Sequence, residues 1–299
     1  MEALLRKSCP QCTVSSIKTY AQNVKALAKV AGFKVAPTNA KWITGKLLKQ
    51  IKERPLNQYK RLSIAGVKAL GYGTKDAKWH DAMNDATAKY GRKRDSQKRT
   101  DREERNWPKE GYKALRTLAN TLHSEVEYVE KQAPARVGAS DMYEYQRYFV
   151  ILFYAYHALR GDLGDVRIER KGQNYIYKKG KSWAVHIGQH KTVKSRGAID
   201  IRLAKPVSDT LDKFLPMVRA NTDHGYLLST KRGRNKLSRK DMMLMLRNTT
   251  QDRIGKRLGV QMIRVLKTTE HLKSIDKALE LQRELAHGPI MQARYVSKA

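Results

Sequence analysis

Residues 145–161 read YQRYFVILFYAYHALRG. Tyr145, Tyr148, Phe149, Leu152, Phe153, Tyr156 and Leu159 make this the most apolar stretch of a highly charged chain. A helix apolar around most of its circumference has to be enclosed by other elements. The stretch therefore predicts a central core helix over about 141–160, ending at Arg160-Gly161. The character changes immediately downstream. Val166–Glu169, Asn174–Lys178, Ser182–Ile187 and Ala198–Leu203 show β-branched or aromatic alternation with glycine-containing turns between them, the pattern of strands in a small antiparallel sheet. Helical periodicity resumes at about 206–220, 238–257, 259–267, 271–285 and 287–296.

Upstream of the core helix the chain reads as helical throughout. Residues 13–31 place Ile17, Tyr20, Val24, Leu27 and Ala31 on one face, with Thr13, Ser15 and Ser16 available as N-caps and Gly32 as a C-cap. Further helices are predicted at about 38–53, 56–70 and 76–90, punctuated by Pro37, Pro55 and Gly71-Tyr72-Gly73. Residues 91–108, GRKRDSQKRTDREERNWP, are nearly all polar or charged and end in proline. They read as a linker or an exposed helix extension. A helix over about 109–131 then leads into the core helix. The expected architecture is mainly α with a small antiparallel β-sheet. It divides into a helical module at 1–90, a charged linker at 91–108 and a larger domain at 109–299.

Charge narrows the function classes. With 61 Lys and Arg against 28 Asp and Glu, the chain carries +33 over 299 residues. A compact protein with that excess seeks a polyanion, and nucleic acid is the usual one. No apolar run approaches the ~20 residues of a membrane-spanning helix. The first residues lack the apolar core of a secretory signal, so an intracellular, DNA-associated protein is expected. Fifteen tyrosines set the chain apart from a plain charge-neutralising packing protein. The only cysteines, Cys9 and Cys12 in CPQC, have no second pair to complete a metal site, and the expectation is incidental thiols in a reducing compartment.

The chemistry-bearing pattern lies in the second half. His287-Gly288 precedes Tyr295 by little more than two helical turns, and Arg160, Lys191 and Arg264 lie upstream in that order. Phosphoryl transfer on DNA needs a nucleophile, cationic donors for the non-bridging oxygens and a proton for the leaving oxygen. Arginine suits the oxygens because its planar fork donates two bonds and keeps its charge. Lysine suits the leaving group as a compact proton donor. Tyrosine suits a reversible covalent step. Lys194 competes with Lys191, and Arg253 and Arg257 with Arg264. The Lys191-Thr192 dipeptide and the interval from Arg264 to His287 select the first of each.

In this order and spacing, residues 140–299 resemble the tyrosine recombinase (phage integrase) family. The matching strings are Tyr156-His157-Ala158-Leu159-Arg160-Gly161, His190-Lys191-Thr192-Val193-Lys194-Ser195, Gln261-Met262-Ile263-Arg264, then His287-Gly288 and Tyr295. The resemblance implies an N-terminal helical core-binding domain followed by a tyrosine-recombinase-like catalytic domain. It implies that Arg160 and Arg264 hold the scissile phosphate. Lys191 would protonate the 5′ oxygen, His287 would hydrogen-bond the phosphate, and Tyr295 would attack to form a 3′-phosphotyrosyl link. No cofactor or metal is implied. The implied partner is double-stranded DNA, gripped by both domains, with a homotetramer acting on two sites.

The chain departs from the family pattern in three places. Gln261 stands where the family has histidine; it can donate a hydrogen bond but cannot act as a base. Leu163 occupies the acidic position three after the first arginine, leaving Asp162 or Asp165 to orient Arg160, with Asp165 preferred. The interval from His287 to Tyr295 is one residue short. A type IB topoisomerase shares the same chemistry, and a non-catalytic DNA-binding protein descended from a recombinase accommodates Gln261.

Overall fold

The computed structural model describes residues 2–71, 76–170 and 172–271. The chain is mainly helical with one three-stranded antiparallel sheet, and it divides into two compact units at Ser96 and Gln97. Among the described residues no helix is long and apolar enough to cross a membrane.

The first unit holds α1 (Glu2–Ser8), α2 (Val14–Val30), α3 (Gly45–Lys52), α4 (Leu56–Leu70) and α5 (Ala77–Asp95). Their apolar faces meet in one core that includes Leu5, Ile17, Val24, Leu27, Leu47, Ile51, Leu62 and Trp79. Thr13 caps α2 by accepting from the Ser16 N–H. Thr44, not Thr38, caps α3 by accepting from Leu47, so this helix begins later than its sequence suggests. The reason lies in the preceding loop. Asn39 Oδ1 accepts from the Lys41 N–H at 3.0 Å, and the Trp42 indole donates to the Asn39 carbonyl at 2.8 Å. These local bonds compete with helix formation. Gly66 on α4 faces the Trp79 indole so closely that a Cβ there would lie 2.3 Å from a ring carbon.

CPQC departs from expectation. Cys9 and Cys12 form a disulfide. The turn between α1 and α2 brings their Cα atoms to 5.4 Å, and the Cys12 N–H bonds back to the Cys9 carbonyl at 3.0 Å. The distance lies within the range a disulfide requires.

The second unit opens with α6 (Asp101–Asn106), α7 (Ala114–Val126) and α8 (Ala139–Tyr156). The charged stretch 91–108 is thus partly helical. The first unit's α5 runs on to Asp95, and Thr100 with Glu103 forms a capping box that starts α6. The central helix α8 is enclosed as expected: Tyr145, Phe149, Phe153 and Tyr154 are at most 1% exposed. Its polar Gln146 is tolerated because its amide pairs with both backbone groups of Ser229, at 2.7 and 2.9 Å.

The sheet follows as β1 (Asn174–Lys179) and β2 (Ser182–Ile187), then α9 (Val193–Arg196) and β3 (Ile199–Arg202), with β2 in the middle. Ile176 pairs with Val185 and Ile187 with Ile199, which sends these side chains to the core face. Residues 166–169 do not form the expected strand. Arg167 makes only isolated bridges to Tyr175 and Tyr226. The pairing does not extend beyond this one residue on either side, so no ladder forms. Then come α10 (Lys205–Asn221), α11 (Arg239–Ile254) and α12 (Val260–His271). Phe214 of α10 stacks on Phe149 at 5.1 Å, fixing α10 against α8.

Candidate functional site

The site begins where α8 stops. Its last residue is Tyr156, four before Arg160, so Arg160 does not sit at a helix C-terminus as expected. His157 turns extended and its Nε2 accepts the Ala204 N–H at 3.0 Å. Lys267 of α12 donates to the Tyr156 carbonyl at 2.7 Å. These bonds draw the chain away from the helix axis. Arg160 then becomes the residue preceding a 3-10 turn, Gly161–Asp165. That turn lies hard against α11: a Cβ on Gly161 would meet the Met243 sulfur at 3.1 Å, and one on Gly164 would meet the Arg239 Cα at 2.9 Å. The glycines are required by close approach rather than by unusual dihedrals.

Tyr154 bonds the Arg160 backbone and feels the charge of Arg264. Its hydroxyl donates to the Arg160 carbonyl at 3.0 Å. The phenol is fully buried, and burial raises its pKa well above the ordinary value. The negative charge of Asp162 acts in the same direction, and the positive charge of Arg264 opposes both. A neutral donor is thereby held in place at working pH. Arg264 comes from the middle of α12 and is 4% exposed; Thr268 bonds its carbonyl at 2.7 Å.

Asp162 forms the acidic centre of the cluster. It is 4% exposed and pairs with Arg239 Nη1 at 2.9 Å. Burial pushes its carboxyl up, while Arg239, Arg160 and His190 pull it down. Asp165, the residue expected to orient Arg160, is engaged by Arg239 Nε and, at 3.4 Å, by Lys236. The two aspartates stand three residues apart in the 3-10 turn, where side chains eclipse, so one Arg239 guanidinium reaches both.

His190 brings the β2–β3 connection to the same place. Its Nε2 donates to the Gly197 carbonyl at 2.9 Å, which leaves Nδ1 as an acceptor for the Thr192 N–H at 3.4 Å. The ring is buried and staples the loop that carries Lys191. Lys191 itself is exposed next to it, and Lys194 lies in α9. Gln261 is exposed on the first turn of α12, three residues before Arg264. His287 and Tyr295 lie outside the described residues.

Of the six candidates, Arg160 and Arg264 both act on the buried Tyr154, the first through its carbonyl and the second through its charge. The loop of Lys191 is stapled by His190, and Gln261 lies one helical turn from Arg264. Sequence reasoning missed Tyr154, which hides among core aromatics, and Arg239, which follows the Ser238 N-cap in a run of basic residues. His190 was quoted only as the neighbour of Lys191.

No family model matches the chain, and no curated protein matches it. Among solved structures, the fold is similar to that of XerA recombinase. The two are 14% identical, the alignment covers 100% of this chain and 92% of that one, and the TM-score is 0.44.

Proposed function

We propose that this chain is a site-specific DNA recombinase or integrase that cleaves and rejoins duplex DNA through a 3′-phosphotyrosyl intermediate. The observation that supports it best is the buried Tyr154 phenol, which donates to the Arg160 carbonyl at 3.0 Å and feels the charge of the buried Arg264. Two guanidinium groups would suit the non-bridging oxygens of a phosphodiester, whose charge grows during attack. The Tyr295 oxygen would form the new P–O bond as the bond to the 5′ oxygen breaks. Lys191, on its stapled loop, would give that oxygen a proton. His287 would donate a hydrogen bond to the phosphate. The reverse sequence reseals the strand. Gln261 would add a neutral hydrogen bond beside Arg264. The +33 charge suits a DNA partner, and the reading includes a homotetramer acting on two sites inside the cell.

A nicked suicide substrate tests this reading, because loss of the short 5′ fragment traps the covalent complex. The parent protein should give an SDS-resistant protein–DNA adduct, and Tyr295→Phe should give none. An adduct of equal yield with Tyr295→Phe sinks the assignment.

A second reading has one observation in its favour. Gln261 cannot act as a general base near neutral pH, which suits a DNA-binding protein that has lost cleavage. Salt-sensitive binding with no adduct, from both the parent and Gln261→His, would select it.

A further inference from the structure

The disulfide between Cys9 and Cys12 sits in surroundings unlike those of an inert bridge. It closes a loop of four residues, and so short a loop removes little chain entropy from the unfolded state. The first unit has its own apolar core around Leu27, Ile51 and Trp79, against which Cys12 packs. The two sulfurs differ sharply in environment. Cys9 is 2% exposed at the end of α1. The Nζ of Lys68, itself only 6% exposed, donates to Cys9 Sγ at 3.5 Å. Lys68 is fixed there: its carbonyl accepts the Ser8 hydroxyl at 2.6 Å, and its ammonium lies over the Tyr20 ring. Cys12 is half-buried and directly precedes Thr13, the N-cap of α2. One sulfur is reachable and stands at the positive end of a 17-residue helix; the other is enclosed beside a buried cation.

From this asymmetry we infer that Cys9 and Cys12 form a reversible thiol–disulfide exchange site, whose co-reactant is a small thiol of the glutathione class. The thiolate of the small molecule attacks Cys12 Sγ, the accessible sulfur. The Cys9–Cys12 bond breaks, and Cys9 leaves with the electron pair as a thiolate beside the Lys68 ammonium. A second small thiol attacks the mixed disulfide at the small molecule's sulfur and releases Cys12. Two small thiols are oxidised to one disulfide, and the protein pair gains two electrons. One proton stays on Cys12 and one passes to solvent. A leaving thiolate stabilised by a cation accelerates this direction of exchange and favours the reduced form. The site lies wholly within the first unit and is independent of the DNA chemistry proposed above.

The test uses the full chain, equilibrated in mixtures of reduced and oxidised glutathione, quenched by alkylation and weighed by mass spectrometry. Cys9 and Cys12 should convert together, as one two-electron couple, within the range of glutathione ratios. In native protein, Cys9→Ser should accept one glutathione at Cys12, and Cys12→Ser should accept none at Cys9 over the same time. Lys68→Met should shift the ratio of dithiol to disulfide toward the disulfide by about tenfold or more, and Lys68→Arg should restore it. The inference is overturned if the pair stays wholly oxidised or wholly reduced at every ratio. Equal glutathione uptake by the two single-cysteine variants overturns it as well, and so does parental titration of a folded Lys68→Met. Should Lys68→Met fail to fold, the parent titration and the single-cysteine comparison decide alone.

Discussion

Tyr154 contributes one hydroxyl to the cluster, and that hydroxyl holds the Arg160 backbone. Tyr154→Phe keeps the ring and deletes the donor. The part-buried Arg160 carbonyl then loses a partner, a cost of about 1 kcal/mol in unfolding free energy. If the proposed function holds, adduct formation on the suicide substrate should fall further than that stability loss explains, because Arg160 shifts. Gly164→Ala attacks the same place from outside. A methyl group 2.9 Å from the Arg239 Cα forces the 3-10 turn off α11, and overpacking of this kind costs about 1–3 kcal/mol. Urea unfolding of the second unit measures both. Parental stability of Gly164→Ala would show that the contact yields without strain. Residue identity alone carried part of this. Arg160, Lys191 and Arg264 stood out because their order and spacing matched a chemical need. Tyr154 did not, since one phenol in a run of apolar residues looks like packing. The sharing of Arg239 by Asp162 and Asp165 was not legible either, because it depends on a 3-10 turn that no periodicity announces.

Helix ends govern the next scale. The C-terminus of α8 is tied to the start of α10 by His157 and to α12 by Lys267. Burial drives the His157 pKa down to about 3, and the Lys267 charge adds to the effect. The unfolded imidazole titrates near 6.5. Between these values the unfolded chain binds a proton that the folded chain refuses, so stability falls as pH drops from 6.5 toward 3. The slope from this one group is at most about 1.4 kcal/mol per pH unit. His157→Gln should flatten that acid limb in urea unfolding; an unchanged limb would place the titration elsewhere. Thr13 and Thr44 offer a plainer test. Each accepts a helix N–H, so replacement by alanine should lower the first unit's stability by about 1 kcal/mol apiece. Most elements were legible because their apolar spacing is regular and their caps are the expected residue types. The start of α3 was not. The Asn39 and Trp42 bonds that delay it join side chains to the backbone, and apolar spacing does not reveal them. The segment 166–169 has the composition of a strand, yet strand formation requires a continuous partner, and its neighbours supply only bridges.

At the scale of the whole chain there are two separate hydrophobic cores among the described residues and a net charge of +33. The +33 charge makes DNA binding steeply salt-dependent in the proposed function. With about six phosphate contacts, affinity should fall roughly a thousandfold between 50 and 200 mM salt. A filter-binding titration that gave a flat salt response would argue against a phosphate-led interface. Composition alone gave the polyanion expectation, because net charge needs no fold. The change of character near residue 91 in the sequence lies close to the boundary between the compact units at Ser96 and Gln97, because charge accumulates where few side chains are buried.

Arg239 has a consequence for how such a sequence can drift. One guanidinium serves both Asp162 and Asp165, and its own backbone leaves room only for hydrogen at Gly164. Loss of Arg239 alone would strand a buried carboxylate; loss of Asp162 alone would leave the Arg239 guanidinium without its buried partner. The charged residues of this cluster can change at low cost only together. Across diverged descendants the arginine and the aspartates should covary, while glycine at 164 should persist even in lineages that abandon the arginine at 239, because the close approach is to the backbone of that position.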